Sequence, residues 1–412
     1  MSSIIFFGAG GNAINNFEKW IDQGIIPVCF CDSDKSKHYT KFITKGGGYD
    51  ILPLNEAIRL YPDYIIYPTQ NPSHLKSIII YLLNIGIHEN RIKIFPRYCN
   101  NIINNMNIFS FEKYLTNYTF CFNQQIRPLY KSSGNLKDDY DMIQKYGERM
   151  INDLKLGKIC SCSYCSNLKE GNISNFSTKF FFNIGSGIKG SEYCNMKCIY
   201  CSFLNINNKN DIFNYSLMDI FNFLSFNFNS DDLFITYGCG EITVSPYYKY
   251  IMNIWEKKNW CGRLITNALI FKDEISKLLK QKRISLNVSL DAGTEDTYFK
   301  IKGVNYFSKN IKTLKKYSEM DGNIELKYIL LNNLNDNETD IFEFLNIAKQ
   351  LNSSSVIISR PFNKYFIPLS NHEKSLIKYF ISISKDFNLK IENYLCYYIN
   401  NINDINFVEA LL

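Results

Sequence analysis

Cysteine dominates one short stretch of the chain, Cys194-Asn-Met-Lys-Cys198-Ile-Tyr-Cys201. Three thiolates in one loop can ligate three irons of a cubane cluster and leave the fourth iron open. Zinc accepts thiolates as well, so residue type alone does not choose the metal. A closed structural zinc site wants four ligands, and no obvious fourth accompanies these three. A second group, Cys160-Ser-Cys162-Ser-Tyr-Cys165, lies upstream in a polar stretch where core packing does not explain such density. An auxiliary iron-sulfur cluster is the favoured reading, with Cys396, Cys239, another residue or bound substrate as its fourth ligand. A zinc site or three free thiols are the alternatives. The chain holds 13 cysteines, and without a recognisable secretion signal such a count points to metal or redox chemistry rather than disulfides. Those outside the two groups, among them Cys29, Cys31, Cys99 and Cys121, sit among apolar neighbours and read mostly as small buried hydrophobes.

Cys-x3-Cys-x2-Cys with an aromatic residue, Tyr200, directly before the last cysteine resembles the signature of the radical S-adenosylmethionine (SAM) superfamily. The resemblance continues in order along roughly residues 180 to 367. Tyr237-Gly-Cys-Gly-Glu241 is similar to the family's Gly-Gly-Glu stretch, followed by Thr266-Asn267 and Ser289-Leu-Asp291-Ala-Gly-Thr-Glu295. It implies a 4Fe-4S cluster on Cys194, Cys198 and Cys201, whose open iron chelates the amino and carboxylate groups of SAM. Glu241 is implied as acceptor for that amino group. Asn267, Ser289 and Asp291 are implied at the carboxylate or ribose, and Tyr200 near the adenine. The local sequence gives Asp291 an alternative, capping the helix that follows. The implied activity is reductive cleavage of SAM to methionine and a 5'-deoxyadenosyl radical, which abstracts hydrogen from substrate. The electron comes from a reducing partner such as flavodoxin or ferredoxin. Cys239 stands where the family's stretch has its first glycine; a thiol there donates hydrogen to a product radical or simply fills space.

These residues need strands to carry them. Strand-like runs at 179–184, 232–237, 263–267, 284–290, 324–331 and 355–361 alternate with helical segments, and the motif residues fall at strand ends. Six such repeats predict a partial (β/α)6 barrel related to the TIM fold over residues 178–412, including a C-terminal extension. Before it, residues 125–177 read as a connector. Met142, Ile143, Tyr146, Met150, Ile151 and Leu154 recur there at helical spacing, predicting an amphipathic helix over 138–156.

Residues 1–124 form a third region. Its apolar run Ser3 to Phe7 leads into Gly8-Ala-Gly10-Gly-Asn-Ala13, then a helical stretch to Gln23, then a second apolar run ending at Asp32. Further elements are expected at 55–61 (helix), 63–67 (strand), 73–84 (helix) and 91–95 (strand), an α/β pattern with a parallel sheet. Gly8-x-Gly10-x-x-Ala13 has the form of a nucleotide-binding turn, with Asp32 placed to hold a ribose hydroxyl. A glycine turn that binds no nucleotide is the alternative. The region resembles the Rossmann-like N-terminal domains of surface-polysaccharide enzymes, which implies a nucleotide-sugar site and a role in carbohydrate biosynthesis.

Hydrophobic residues make up 46% and charged residues 21%, the balance of a folded globular protein. Net charge is +7, but lysines and arginines are interleaved with acids, which argues against a nucleic-acid partner. No run approaches the ~20 apolar residues that span a bilayer, so a cytoplasmic protein is expected, and no peptide-recognition winged helix is visible in the sequence, which favours a small-molecule substrate. Two other readings stay open: an enzyme modifying a peptide or protein, and a regulator that binds nucleotide and cluster without catalysis.

Overall fold

The computed structural model describes residues 2–70, 72–98, 105–111, 115–119, 130–160, 163, 169–170, 180–185, 188–201, 215–229, 232–361, 364, 367–392, 395 and 402–412. Packing divides the chain into two units. Residues 1–103, 125–128 and 145–176 form the first, and residues 104–124, 129–144 and 177–412 the second.

In the first unit, β1 (Ser3–Phe7) leads through α1 (Gly11–Asp22) to β2 (Cys29–Cys31). A hairpin of β3 (Lys41–Thr44) and β4 (Gly47–Leu52) follows, then α2 (Leu54–Leu60), β5 (Tyr64–Pro68) and α3 (Pro72–Asn84). The sheet order is β3-β4-β2-β1-β5, parallel throughout except for β3 against β4. Ala13, Phe17 and Trp20 recur one helical turn apart and are the buried face of α1. They meet Phe6, whose ring lies 5.5 Å from Trp20 and 5.4 Å from Phe30, and Trp20 stacks on Phe95 at 3.9 Å. The strand expected at 91–95 is not formed. Glu89–Arg91 makes a 3-10 turn, and Ile92 makes a single bridge to Ile66. The Ile94 N–H donates to Gly157 instead, 2.9 Å away, so this backbone finds its partner in the connector. A short antiparallel pair, β6 (Arg97–Tyr98) with β10 (Lys169–Glu170), uses the connector in the same way.

The second unit contains β7 (Asn105–Phe111), β8 (Leu115–Thr119) and β9 (Tyr130–Lys131). The predicted amphipathic helix is α4 (Leu136–Lys155), whose residues divide between the two units. Then comes the repeating series: β11 (Phe180–Ile184), α5 (Leu217–Asn227), β12 (Leu233–Tyr237), α6 (Tyr248–Lys257), β13 (Cys261–Thr266), α7 (Asp273–Lys280) and β14 (Ile284–Ser289). It continues through α8 (Glu295–Lys302), α9 (Phe307–Ser318), β15 (Asn323–Ile329), α10 (Glu338–Gln350), β16 (Ser355–Ser359) and α11 (Asn371–Asp386). The chain ends with β17 (Ile391–Glu392) and α12 (Ile402–Glu409).

Strands β11 to β16 lie side by side in sequence order and all parallel, each joined to the next through helix, which is the α/β half-barrel pattern. All six expected strands are present, with ends moved by one or two residues. The sheet is wider than six strands, however: β7 pairs parallel with β11 and carries β8 and β9 antiparallel beyond it, and β17 joins β16. Side chains alternate across the sheet. One face, including Phe182, Ile235, Leu264, Leu286, Leu326 and Val356, is fully buried and apolar. On the other, Arg263 pairs with Glu325 at 2.8 Å and Asn287 donates to Glu325 at 3.0 Å. Among the described residues, no helix is long and apolar enough to cross a membrane.

Candidate active site

The cysteine loop follows β11 and is anchored on two sides. On one side is the C-terminal end of α8. The Lys197 N–H donates to the Lys302 carbonyl at 2.9 Å and the Ile199 N–H to the Ile301 carbonyl at 3.0 Å, so backbone bonds flank Cys198. These use carbonyls that a helix end leaves without an intrahelical partner. Gly303 ends α8 with φ +67, and a side chain there would crowd the backbone of Lys197.

The other side is the loop after β12. Its Glu241 N–H donates to the Tyr193 carbonyl at 2.7 Å. Gly240 has φ +55, and a β-carbon on it would overlap the carbonyls of Ser191 and Tyr193. Glycine is therefore required by both conformation and space.

Glu241 is 1% exposed. Its Oε1 accepts from the Thr243 N–H (3.1 Å), the Thr243 hydroxyl (2.7 Å) and the Thr266 hydroxyl (2.9 Å). Its Oε2 accepts from the Asn267 N–H at 2.7 Å and lies equally close to the Thr266 hydroxyl. Four protein donors thus match the roughly four acceptor directions of a carboxylate. Asn267, at the end of β13, reaches back with its side-chain amide to Asn195 at 2.7 Å, inside the cysteine loop. Glu241→Gln turns an NH2 group toward these donors and is expected to cost about 1–3 kcal/mol. Chemical denaturation read by tryptophan fluorescence checks this, and an unchanged midpoint would deny the carboxylate its bridging role.

Asp291 does not cap a helix. Thr294 is the N-cap of α8, its side chain accepting from the Thr297 N–H, and Asp291 lies before it with φ +59. The Asp291 side chain is fully buried and pairs with Lys302 at 2.6 Å. The Tyr200 hydroxyl donates to the same oxygen, Oδ2, at 2.5 Å, and Lys302 donates to that hydroxyl at 2.7 Å. The other oxygen accepts from the Ile329 N–H at 2.9 Å, and Asn335 donates to the Asp291 carbonyl at 2.9 Å. Beneath the triad, the Tyr200 ring packs against the apolar cluster of Ile301, Ile329 and Leu331. Lys302 is the residue that motif reading passes over. The one signal for it was the need of a buried Asp291 for a counter-charge.

Cys194 is exposed by surface area, while Cys198 and Cys201 are half-buried. Enough protein nevertheless surrounds the Cys194 sulfur for desolvation to push its thiol up to about 11, with Glu241, Cys198 and Cys201 adding to the effect and the Met196 backbone N–H opposing it. Burial raises Cys198 too, while Lys302 and the Tyr200 hydroxyl favour its ionised form. Among the described residues no three His, Cys, Asp or Glu side chains stand as ligands of one metal ion. A cubane gives each of three thiolates its own iron and sets them wider apart than the ligands of a single zinc. An all-thiolate donor set in one loop is the donor chemistry such a cluster takes.

Cys239 is 2% exposed, and burial pushes its thiol up to about 12 despite favourable contacts from Tyr237 and Ser191. It is a neutral thiol under the start of the cysteine loop. Ser289 is half-buried at the end of β14, in register with Lys327 of β15. Of the second cysteine group, Cys160 is half-buried, its N–H donating to the Ser163 hydroxyl at 2.8 Å. Cys162, Cys165 and Cys396 lie outside the described residues.

In the first unit, Gly8, Gly10, Ala13 and Asp32 come together around a cavity of about 300 Å3, which Asn12, Lys37, Thr69 and Gln70 also line. Space stands open above Gly10 and Gly11, whereas a side chain at Gly8, with φ +113, would strike Gln70 and Thr69. Asp32 is committed to the turn. Its Oδ2 accepts from the Ala9 N–H (2.8 Å) and Lys37 Nζ (2.9 Å), and its Oδ1 from the Asp34 N–H (2.9 Å). Burial alone would raise this carboxyl; those N–H groups and the Lys37 ammonium outweigh it and hold it low.

Residues 188–345 match a family described as the Radical SAM superfamily. That stretch includes the three loop cysteines, Glu241, Asn267, Asp291 and Lys302. A GTP 3',8-cyclase of Campylobacter lari is 26% identical over 167 residues, which are 39% of this chain and 52% of the cyclase. The chain thus spans about half the length of that curated relative. Among solved structures, Streptococcus suis SuiB bound to precursor peptide SuiA is 15% identical with a TM-score of 0.44, over 69% of this chain and 60% of that one. The structure of anSMEcpe with bound AdoMet is 14% identical with a TM-score of 0.41, over 51% of this chain and 63% of that one.

Proposed function

Because residues 188–345 form a radical SAM enzyme domain, with a 4Fe-4S cluster and SAM as its cofactors, we propose that Cys194, Cys198 and Cys201 hold that cluster and that the substrate is a nucleotide-sugar or related polysaccharide precursor. When bound, the cluster and SAM supply one-electron cleavage of the sulfonium and a 5'-deoxyadenosyl radical that takes hydrogen from substrate. The observation that carries this reading is the clamping of the cysteine loop between α8 and the ends of β12 and β13. That clamp holds the backbone on both sides of Cys198 and the side chain of Asn195.

The chain's own residues have separable tasks. Glu241 would receive the amino group of SAM if the Thr243 or Thr266 hydroxyl turned aside, since its four acceptor directions are otherwise taken. Asn267 holds Asn195 and so sets the height of the loop. Ser289, half-buried at the end of β14, would meet the SAM carboxylate or ribose and Tyr200 would lie near the adenine; Asp291, whose carboxylate is fully buried on Lys302, Tyr200 and the Ile329 N–H, would support that strand end without reaching SAM. Cys239, a neutral buried thiol, is kept as a hydrogen source for a product radical.

For the substrate, support comes from the first unit. A cavity of about 300 Å3 with a glycine turn at a helix N-terminus and Lys37 beside it suits a phosphorylated ligand. The name of the curated relative, a cyclase of GTP, also puts a nucleotide in the chemistry of a similar protein. A one-electron donor of the flavodoxin or ferredoxin type is the partner this chemistry requires.

The test is direct. Anaerobically reconstituted protein given dithionite and SAM is expected to form 5'-deoxyadenosine, measured by chromatography. A fully loaded protein that forms none would refute the proposal. Nucleoside diphosphate sugars are expected to bind the protein in isothermal titration calorimetry, and Gly8→Val, which puts a side chain against Thr69 and Gln70, to abolish that binding. Binding that survives the substitution would remove the nucleotide from the first unit.

A further inference from the structure

We propose that Asn310 of α9 is a positioning residue for SAM: its side chain fixes the backbone of Asn267 and, through Asn267, the carboxylate of Glu241. This rests on the placement of Glu241 at the SAM amino group above and adds the group that holds it there.

Three segments meet on Asn267. Its N–H donates to Glu241 Oε2 at 2.7 Å, its side-chain amide donates to Asn195 of the cysteine loop at 2.7 Å, and its Oδ1 accepts from the Leu269 N–H at 3.0 Å. The ladder of β13 stops one residue earlier, at Thr266. Directly after Asn267, Ala268 takes φ +53, a left-handed conformation that a residue with a β-carbon keeps only where its surroundings impose it.

One face of α9 imposes it. Asn310, Thr313 and Tyr317, three and four residues apart, are buried there beside Leu314. Asn310 Nδ2 donates to the Asn267 carbonyl. The Tyr317 hydroxyl accepts from the Lys272 N–H at 2.8 Å and lies 3.3 Å from the Ile270 carbonyl, and the Thr313 hydroxyl lies 3.5 Å from the Leu269 carbonyl. Backbone groups of a buried turn need such partners. Of the three side chains, Asn310 is the one that reaches the residue touching Glu241. It is 1% exposed, and its Oδ1 has no hydrogen-bond partner among the described residues. An unpaired buried acceptor costs stability that an apolar side chain of the same volume would not. The asparagine is therefore explained by the donor it aims at Asn267, since only the NH2 end of its amide can bond a carbonyl.

The experiment is isothermal titration of SAM into the cluster-loaded full-length protein, without reductant so that no SAM is consumed. Asn310→Leu is expected to raise the dissociation constant about tenfold, the effect of a small misplacement at a binding group. Leucine removes the donor and the unpaired oxygen together, so the denaturation midpoint of the cluster-free protein is expected to stay near wild type. Iron and sulfide content should stay as well, because the cysteine loop keeps its bonds to α8. Thr313→Val, one turn along the same face, is expected to change SAM binding by about twofold or less, since its bond is at the outer limit of length. Asn310→Ala carries the same expectation as Asn310→Leu in case leucine does not fit, and failure of both to fold would make the contact structural and overturn the proposal. An unchanged dissociation constant overturns it, as does equal weakening by Thr313→Val. So does a folded variant that takes up no cluster, which would place Asn310 beneath the metal loop instead of SAM. A cluster-loaded wild type that binds no SAM would instead overturn the reading of Glu241, so the two failures are distinguishable.

Discussion

Cys198→Ala is expected to remove the 4Fe-4S cluster of the loop and to lower formation of 5'-deoxyadenosine by at least about 10³-fold, the scale on which an essential catalytic group is missed. Cys198 sits between the two backbone bonds that fasten the loop to α8, so its thiol is the least free of the three to be replaced by another donor. The fold should tolerate the change, because a half-buried sulfur exchanged for hydrogen costs only about 1 kcal/mol. Iron and sulfide analysis beside a melting curve separates the two effects. Retention of the low-temperature cluster signal in this variant would mean that the ligand lies elsewhere. If Cys160, Cys162 and Cys165 hold an auxiliary cluster, Cys194, Cys198 and Cys201 changed together to alanine should leave part of the iron in place.

The largest expected loss of stability is at Asp291. Asp291→Ala strands the Lys302 ammonium, whose side chain is 1% exposed, and deprives the Ile329 N–H of its acceptor. Breaking a buried pair from one side costs about 3–5 kcal/mol. Chemical denaturation of the cluster-free protein, read by circular dichroism, is the appropriate measurement. A midpoint equal to wild type would show that the pair is hydrated or already broken in solution.

Much of this site was legible because its residues recur at local spacing. Cys194, Cys198 and Cys201 with Tyr200, then Glu241 and Asn267, each follow a strand whose apolar run ends where the motif begins, and the structure joins them by hydrogen bonds between loops. Lys302 was illegible for the opposite reason. In Lys300-Ile-Lys302 at a helix end, both lysines read as solvated, and only the approach of Asp291, brought round by the turn after β14, buries one of them. Asp32 shows a different limit: its position at a strand end was read correctly, but its carboxylate is spent on the Ala9 N–H and Lys37. Ile92, Ile94 and Phe95 look like a strand because their apolar side chains point into a core, yet the backbone of Ile94 pairs with Gly157. The β3–β4 hairpin and strands β7 to β9 beyond β11 were not expected from the sequence; in β7, for example, asparagines and a serine interrupt the apolar run (Asn-Met-Asn-Ile-Phe-Ser-Phe).

The anchoring of residues 193 to 199 by β12, β13 and α8 bears on how metal is acquired and lost. Ordering a residue costs about 1–2 kcal/mol of backbone entropy, and here much of that cost is met when the polypeptide folds, not when iron binds. Uptake should then be limited by delivery of iron and sulfide, with little rearrangement of the receiving segment. Release should follow the unravelling of the last turn of α8, so mild urea ought to bleach the protein before its sheet unfolds.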